Sequence, residues 1–301
     1  MSWKIVAHAE KRAVQAALLR HEDLEDWDAE IVLSGHERAE DTPQEWILEA
    51  YLPRKPRRGD LALIANLFDD AAPEITSEAI ADQDWVTLSQ QATPPIHAGR
   101  FVVRTPDYPA SEQPGAVEFI IPASQAFGTG QHETTAGCLT MLDQMKRNGI
   151  VARNLIDIGT GTGLLGFAAM SLWSRALSTA SDIDPICEGV VRDNAALNGV
   201  TLGSGASAML MVTAPGLDHS ALQVRAPYDL VIANILAGPL VELAPDIADA
   251  TAPSGNVLLA GLLQTQEMTV RRAYRRAGFR LAARLVKGDW SILWLRKRNL
   301  P

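Results

Sequence analysis

The sequence predicts an α/β fold: a doubly wound, mostly parallel sheet that ends in an antiparallel hairpin, preceded by a small α+β domain. Three observations predict it. From about residue 123 onward, apolar strand-like runs alternate with helical patterns, as parallel βαβ units require. A glycine-rich stretch, Asn154-Leu-Ile-Asp-Ile-Gly-Thr-Gly-Thr-Gly-Leu-Leu-Gly166, joins the first of these runs to the helix after it. The last two strand candidates are separated only by a turn near Gly288, so they must run antiparallel.

Taken in order, residues 1–72 mix the two periodicities. Strands are expected at 4–7, 29–34 and 46–52 and an amphipathic helix at 11–20, closed by the turn-rich Pro53-Arg-Lys-Pro-Arg-Arg-Gly59. This reads as a small α+β sandwich, with the basic loop Arg54 to Arg58 exposed. Residues 73–122 are rich in proline and read as a connecting segment, with short strands at Asp84-Trp-Val86 and 99–103. In 123–301 the spacing predicts strands at 154–158, 178–182, 206–212, 228–233, 255–260, 279–286 and 289–296. Helices are predicted at 138–145, 163–173, 185–198, 238–250 and 264–276.

Bulk properties narrow the function classes. A chain of 301 residues with 47% hydrophobic content can bury a substantial core. No apolar run approaches the roughly 18 residues of a membrane span, and Met1-Ser-Trp-Lys-Ile-Val lacks the basic start of a secretory signal. Two cysteines, Cys138 and Cys187, make neither a disulfide framework nor a zinc site. A cytoplasmic protein without a metal is expected. The net charge of −9 is uneven: residues 1–75 carry 9 Lys/Arg against 16 Asp/Glu, whereas residues 271–301 carry 10 Lys/Arg and one acid, Asp289. The acidic first quarter argues against RNA binding at that end and suits either a basic protein partner or a plain solvated surface; the basic C-terminal run reads as a solvated face.

The chemistry-bearing residues gather around the glycine stretch. Leu155 to Ile158 reads as a buried strand that breaks into Gly159, Gly161 and Gly163 before the chain resumes as a helix. Such a turn lets backbone approach a ligand, and the free N–H groups of the helix start favour an anionic or electron-rich group. Gly161-x-Gly163-x-x-Gly166 also satisfies the dinucleotide fingerprint, so a nicotinamide oxidoreductase is one reading. Asp182, in Ser181-Asp-Ile-Asp-Pro185, lies 19 residues after Gly163, where a carboxylate can accept hydrogen bonds from a ribose diol. Asp184 instead suits the cap of the next helix. Asp157 places an acid inside an apolar strand, which is costly unless its oxygens are satisfied by loop N–H groups or by a cation of the ligand. Dinucleotide folds normally have an apolar residue there, and the terminal hairpin is also unusual for them. Asn234 ends the strand Tyr228-Asp-Leu-Val-Ile-Ala-Asn234, at the edge where open sheets bind ligands. Its amide can accept a hydrogen bond from an incoming amine but is no strong base. Ahead of the sheet, Ala126-Phe-Gly-Thr-Gly-Gln-His-Glu-Thr-Thr135 reads as a pocket lid or a helix cap.

The combination of that loop, the glycine turn preceded by Asp157, Asp-Ile-Asp-Pro and Ala-Asn-Ile-Leu resembles the PrmA family, the methyltransferases of protein eleven of the large ribosomal subunit. The likeness spans roughly residues 84–298. It departs at Gln131 and Glu133 around His132, and in Gly159-Thr-Gly-Thr-Gly163 where the family has Gly-Cys-Gly-Ser-Gly. The resemblance implies a class I methyltransferase (Rossmann-like) fold and S-adenosylmethionine as cofactor. It implies cofactor contacts at Thr135, Gly159, Asp182 and Asn234, beside the Asp157 and Gly161 read from the turn itself. Asn234 would position the amine near the methyl group. The implied reaction is transfer of methyl groups to the N-terminal amine or lysines of the basic ribosomal protein, recognised by residues 1–72, with the enzyme a monomer and no stable nucleic-acid partner. Another protein, RNA or a small amine as acceptor stays open.

Overall fold

The computed structural model describes residues 2–22, 27–28, 31–37, 44–68, 73–80, 95–122 and 131–299. The chain divides into two compact units, Met1–Leu88 and Ser89–Pro301.

The first unit is a four-stranded antiparallel sheet with two helices. Its strands are β1 (Ser2–Glu10), β2 (Val32–Glu37), β3 (Glu45–Leu52) and β4 (Ile75–Ile80), in the order β2-β3-β1-β4. The stretch expected to begin a linker thus supplies the edge strand β4. Helices α1 (Lys11–Glu22) and α2 (Arg58–Ala65) bury Val14, Ala17 and Ile64 against Ile5, Ala7, Leu48 and Ala50 of the sheet. The expected turn-rich loop gives way to α2 because Asp60 satisfies its start: the carboxylate accepts the Arg57 N–H at 2.6 Å. Arg54, expected to be exposed, is held by Asp60 at 2.6 Å and Asp28 at 3.2 Å. The strand expected at 84–86 lies outside the described residues.

The second unit opens with a small sheet, β5 (Ile96–Ala98), β6 (Phe101–Arg104) and β7 (Val117–Ile120), whose Phe101, Val103 and Phe119 pack with helix α3 (Gln131–Arg147). The main sheet is built from β8 (Asn154–Ile158), β9 (Leu177–Asp182), β10 (Met209–Thr213), β11 (Tyr228–Asn234), β12 (Thr251–Leu263), β13 (Phe279–Lys287) and β14 (Trp290–Lys297). Their order is β10-β9-β8-β11-β12-β14-β13. The first five are parallel, and β14 runs antiparallel to both its neighbours. The fold is the doubly wound sheet of class I methyltransferases, with the hairpin the sequence predicted.

Helices cover both faces. On one lie α3, α4 (Leu164–Leu172) and α5 (Ile186–Leu197); on the other lie α6 (Ser220–Arg225), α7 (Ala237–Glu242), α8 (Ala244–Ala250) and α9 (Glu267–Arg276). The strands show why their sequences are apolar throughout rather than alternating. Leu230, Ile232, Leu258 and Ala260 feed the first layer, while Val231, Ala233, Val257 and Leu259 feed the second. Burial on this scale stabilises by about 25 cal/mol per Å² of apolar surface. Because the chain passes from β8 to β9 on one side and later returns to β11 on the other, the strand order reverses between β8 and β11. A ligand crevice belongs at the carboxyl ends of those two strands.

Candidate cofactor and active site

The crevice is floored by the turn after β8. Gly159 and Gly161 adopt φ of 67° and 54°, in the left-handed region that glycine reaches without strain. The Gly159 and Thr160 N–H groups both donate to the Ser181 carbonyl, at 2.8 and 3.0 Å, which ties the turn to the end of β9. At Gly161 a Cβ would meet no protein atom within 4 Å, so this part of the turn faces open space. At Gly159 a Cβ would strike the side chain of Ile235, which seals that side.

Asp182 closes the crevice from β9. Its Oδ2 accepts the Gly161 N–H at 2.8 Å and its Oδ1 accepts the Asp184 N–H at 3.1 Å. An ionised carboxylate offers about four lone-pair sites, so acceptor capacity remains for a ligand hydroxyl pair. Cys187 also hydrogen-bonds to Asp182; burial, with the Asp182 charge second, pushes its thiol up to about 11. Asp184 takes the role its position suggested: Oδ1 accepts the Ile186 N–H at 2.9 Å at the start of α5.

Asp157 sits beneath the turn, 1% exposed. Its Oδ2 accepts the Thr160 hydroxyl at 2.7 Å and the Gly166 N–H at 3.0 Å. Burial, only partly offset by these two bonds, raises its carboxyl to about 7. The acid thus links the turn to the first residues of α4.

Asn234 lies at the end of β11. Because Ala233 is in register with Ile158, Asn234 stands across from Gly159 at the mouth of the crevice. Thr135 is the fifth residue of α3 and is buried. Of the expected loop, residues 126–130 lie outside the described residues, and Gln131 to Thr135 are helical. The structure therefore joins Asp157, Gly159, Gly161 and Asp182 in one hydrogen-bonded cluster, with Asn234 on the adjoining strand. No hydrogen bond joins Thr135 to that cluster among the described residues.

Two further residues build the site. Asn194 is 4% exposed, and its Nδ2 donates to the Thr162 carbonyl at 2.9 Å, holding the glycine turn against α5. Its signal in the sequence is an amide on the same buried helix face as Val191 and Ala195. Ile235 reaches over Gly159, and its carbonyl lies where a Gly261 Cβ would stand. Nothing in the residue pattern announces that packing.

A ribose diol fits the free acceptor capacity of Asp182, and the room at Gly161 fits a ligand lying along the turn. Among the described residues no group of three His, Cys, Asp or Glu side chains could hold a metal ion, and no helix is long and apolar enough to cross a membrane.

Known proteins share both the sequence pattern and the fold. The family model described as Ribosomal protein L11 methyltransferase (PrmA) matches residues 7–298. A ribosomal protein L11 methyltransferase of Agrobacterium fabrum is 38% identical over 255 residues, 84% of this chain and 85% of the relative. One of Rhodopseudomonas palustris is 39% identical over 272 residues, 90% and 89% of the two chains. Among solved structures, a ribosomal protein L11 methylase from Lactobacillus delbrueckii subsp. bulgaricus superposes with a TM-score of 0.54 at 25% identity, covering 68% of this chain and 98% of that one.

Proposed function

The chain belongs to the ribosomal protein L11 methyltransferase family, and on that premise we propose that it transfers methyl groups from S-adenosylmethionine to amines of ribosomal protein L11. The observation that carries the reading is the Gly161–Asp182 bond at the switch point of a methyltransferase sheet.

In this reading Asp182 holds the ribose diol of the cofactor, and Gly159 and Gly161 let its amino acid portion lie against the turn. Asp157 supports that turn from below through Thr160 and Gly166. Thr135 contributes from α3. When bound, S-adenosylmethionine supplies an electrophilic methyl on its sulfonium. What the chain adds is position: an amine held in line at the mouth of β11, which can lower the barrier by up to about 7–11 kcal/mol. The Asn234 carbonyl oxygen accepts an N–H of the amine and turns its lone pair toward the crevice.

The amine must arrive neutral. Deprotonating a lysine near pH 7.4 costs about 4 kcal/mol, an α-amine about 1 kcal/mol. An N-terminal amine is the easier acceptor, and a lysine reacts once the site desolvates it. The acidic balance of residues 1–75 suits recognition of a basic protein, and the reaction belongs in the cytoplasm, where that protein is made.

The test is mass spectrometry of L11 incubated with S-adenosylmethionine and enzyme. Increments of one methylene each on L11 are expected, and an unmodified L11 contradicts the proposal. Deleting residues 1–75 is expected to abolish modification of the intact protein; unchanged modification removes the recognition role.

A further inference from the structure

Helix α5 brings two asparagines four residues apart to one face, Asn194 within it and Asn198 as its C-cap. Asn194 holds the Thr162 carbonyl of the glycine turn at 2.9 Å. Asn198, half-buried, reaches β7 instead. Its Oδ1 accepts the Ile120 N–H at 2.7 Å, and its Nδ2 donates to the Ile120 carbonyl at 2.8 Å. Nδ2 donates again to the Asn194 carbonyl at 2.8 Å, so both of its hydrogens are used.

The strand explains the geometry. β7 is the edge of its three-stranded sheet and pairs with β6 alone. Val117 and Ile121 turn their N–H groups to the Arg100 and Arg104 carbonyls, at 2.8 and 2.9 Å. Backbone alternation then turns both polar groups of Ile120 outward, away from β6. A side-chain amide carries an acceptor and a donor as a peptide does, so Asn198 stands where a residue of the next strand would. Ending the helix does not require this. Gly199 takes the left-handed position after the cap at φ 64°, and the Asn198 backbone N–H closes the last turn onto the Asn194 carbonyl at 3.1 Å.

The two ends of this connection both belong to the crevice. Thr162 lies between Gly161 and Gly163 of the turn. Ile120 ends the strand from which the chain runs on to α3, the helix that carries Thr135. The α3 end is fixed separately: Cys138 and Leu139 are in the core, and a Gly137 Cβ would strike Ile292. Thr135 shares no hydrogen bond with the turn among the described residues, so α5 supplies the link that direct contact does not. We propose that Asn198 is a positioning residue for cofactor binding, which rests on the reading of the crevice as the S-adenosylmethionine site. Through α5 and Asn194 it holds β7, and with it the approach of the chain to Thr135, at a set distance from the glycine turn. All its bonds are to backbone, so its loss falls on cofactor affinity and not on the methyl-transfer step.

The experiment is calorimetric titration of the full chain with S-adenosylmethionine, beside steady-state kinetics on L11. Asn198→Ala should weaken cofactor binding about tenfold and raise the cofactor KM in step, with kcat at saturation within about twofold of the parent's. Asn194→Ala should weaken binding too. Because both residues serve one connection, the double variant should lose less than the product of the two single losses. Tyr228→Phe controls for lost stability: it removes a buried bond to the Leu222 carbonyl on the other face of the sheet and should keep cofactor affinity within about twofold. Parent-like affinity in Asn198→Ala, single losses that multiply in the double variant, or equal weakening in Tyr228→Phe overturns the proposal while the functional reading stands. A parent chain that binds no S-adenosylmethionine overturns both.

Discussion

Asp182 Oδ2 accepts the backbone N–H of Gly161 at 2.8 Å, so one bond fixes both the acid at the end of β9 and the turn at the end of β8. The group that meets the ribose in the proposed function also sets the loop on which the rest of the cofactor lies. Asp182→Ala removes both at once. A hydrogen bond to a charged group contributes about 1.5–3 kcal/mol, so S-adenosylmethionine affinity should fall about ten- to a hundredfold by calorimetry. Affinity equal to the parent's would take Asp182 out of the site.

Asn234 is expected both to touch the cofactor and to position the amine, and in this account the second role carries most of its effect. Asn234→Ala should lower kcat about a hundredfold while leaving cofactor affinity within about twofold. A variant that loses cofactor affinity and kcat together would assign Asn234 to cofactor binding alone.

Asp157 supplies a pH signature. Its carboxyl sits at about 7 in the folded protein because it is buried, against about 3.9 in an unfolded chain. The folded state therefore holds the proton more tightly, and this group's contribution to stability is present below about pH 4 and is lost as pH rises through 7. The loss approaches about 4 kcal/mol. Asp157→Asn cannot ionise, so its melting temperature relative to the parent's should rise between pH 5 and 8. Parallel melting curves across that range would refute the burial argument.

Two glycines separate binding from folding. Gly161→Ala places its Cβ in open space at φ 54° and should destabilise by about 1–2 kcal/mol, yet impair cofactor binding by occupying ligand room. Gly261→Ala drives its Cβ into the Ile235 backbone at φ 82°, where nothing can yield. It should cost about 3 kcal/mol or more in denaturant unfolding. The reverse ranking would mean that the crevice wall moves.

These residues also show how far a sequence carries. The glycine turn and the cap role of Asp184 were legible because strand, turn and cap chemistry are local. The helix α2 was hidden because arginine and proline signal a loop, while the acid that starts the helix, Asp60, lies beyond them. Similarly, α3 begins at Gln131, seven residues before the apolar pattern at Cys138 announces it. The closure of Ile235 over Gly159 and Gly261 depends on three strands meeting, and Asn194 on a helix returning to the turn. Contacts of that range leave no periodic trace.

The most direct test of the account is transfer of labelled methyl from S-adenosylmethionine to a mixture of unmethylated ribosomal proteins, with parent, Asp182→Ala and Asn234→Ala enzymes side by side. The account expects label on L11 with the parent and loss of that label with both variants. Label on a different protein or on none, by an enzyme that binds the cofactor, would contradict it.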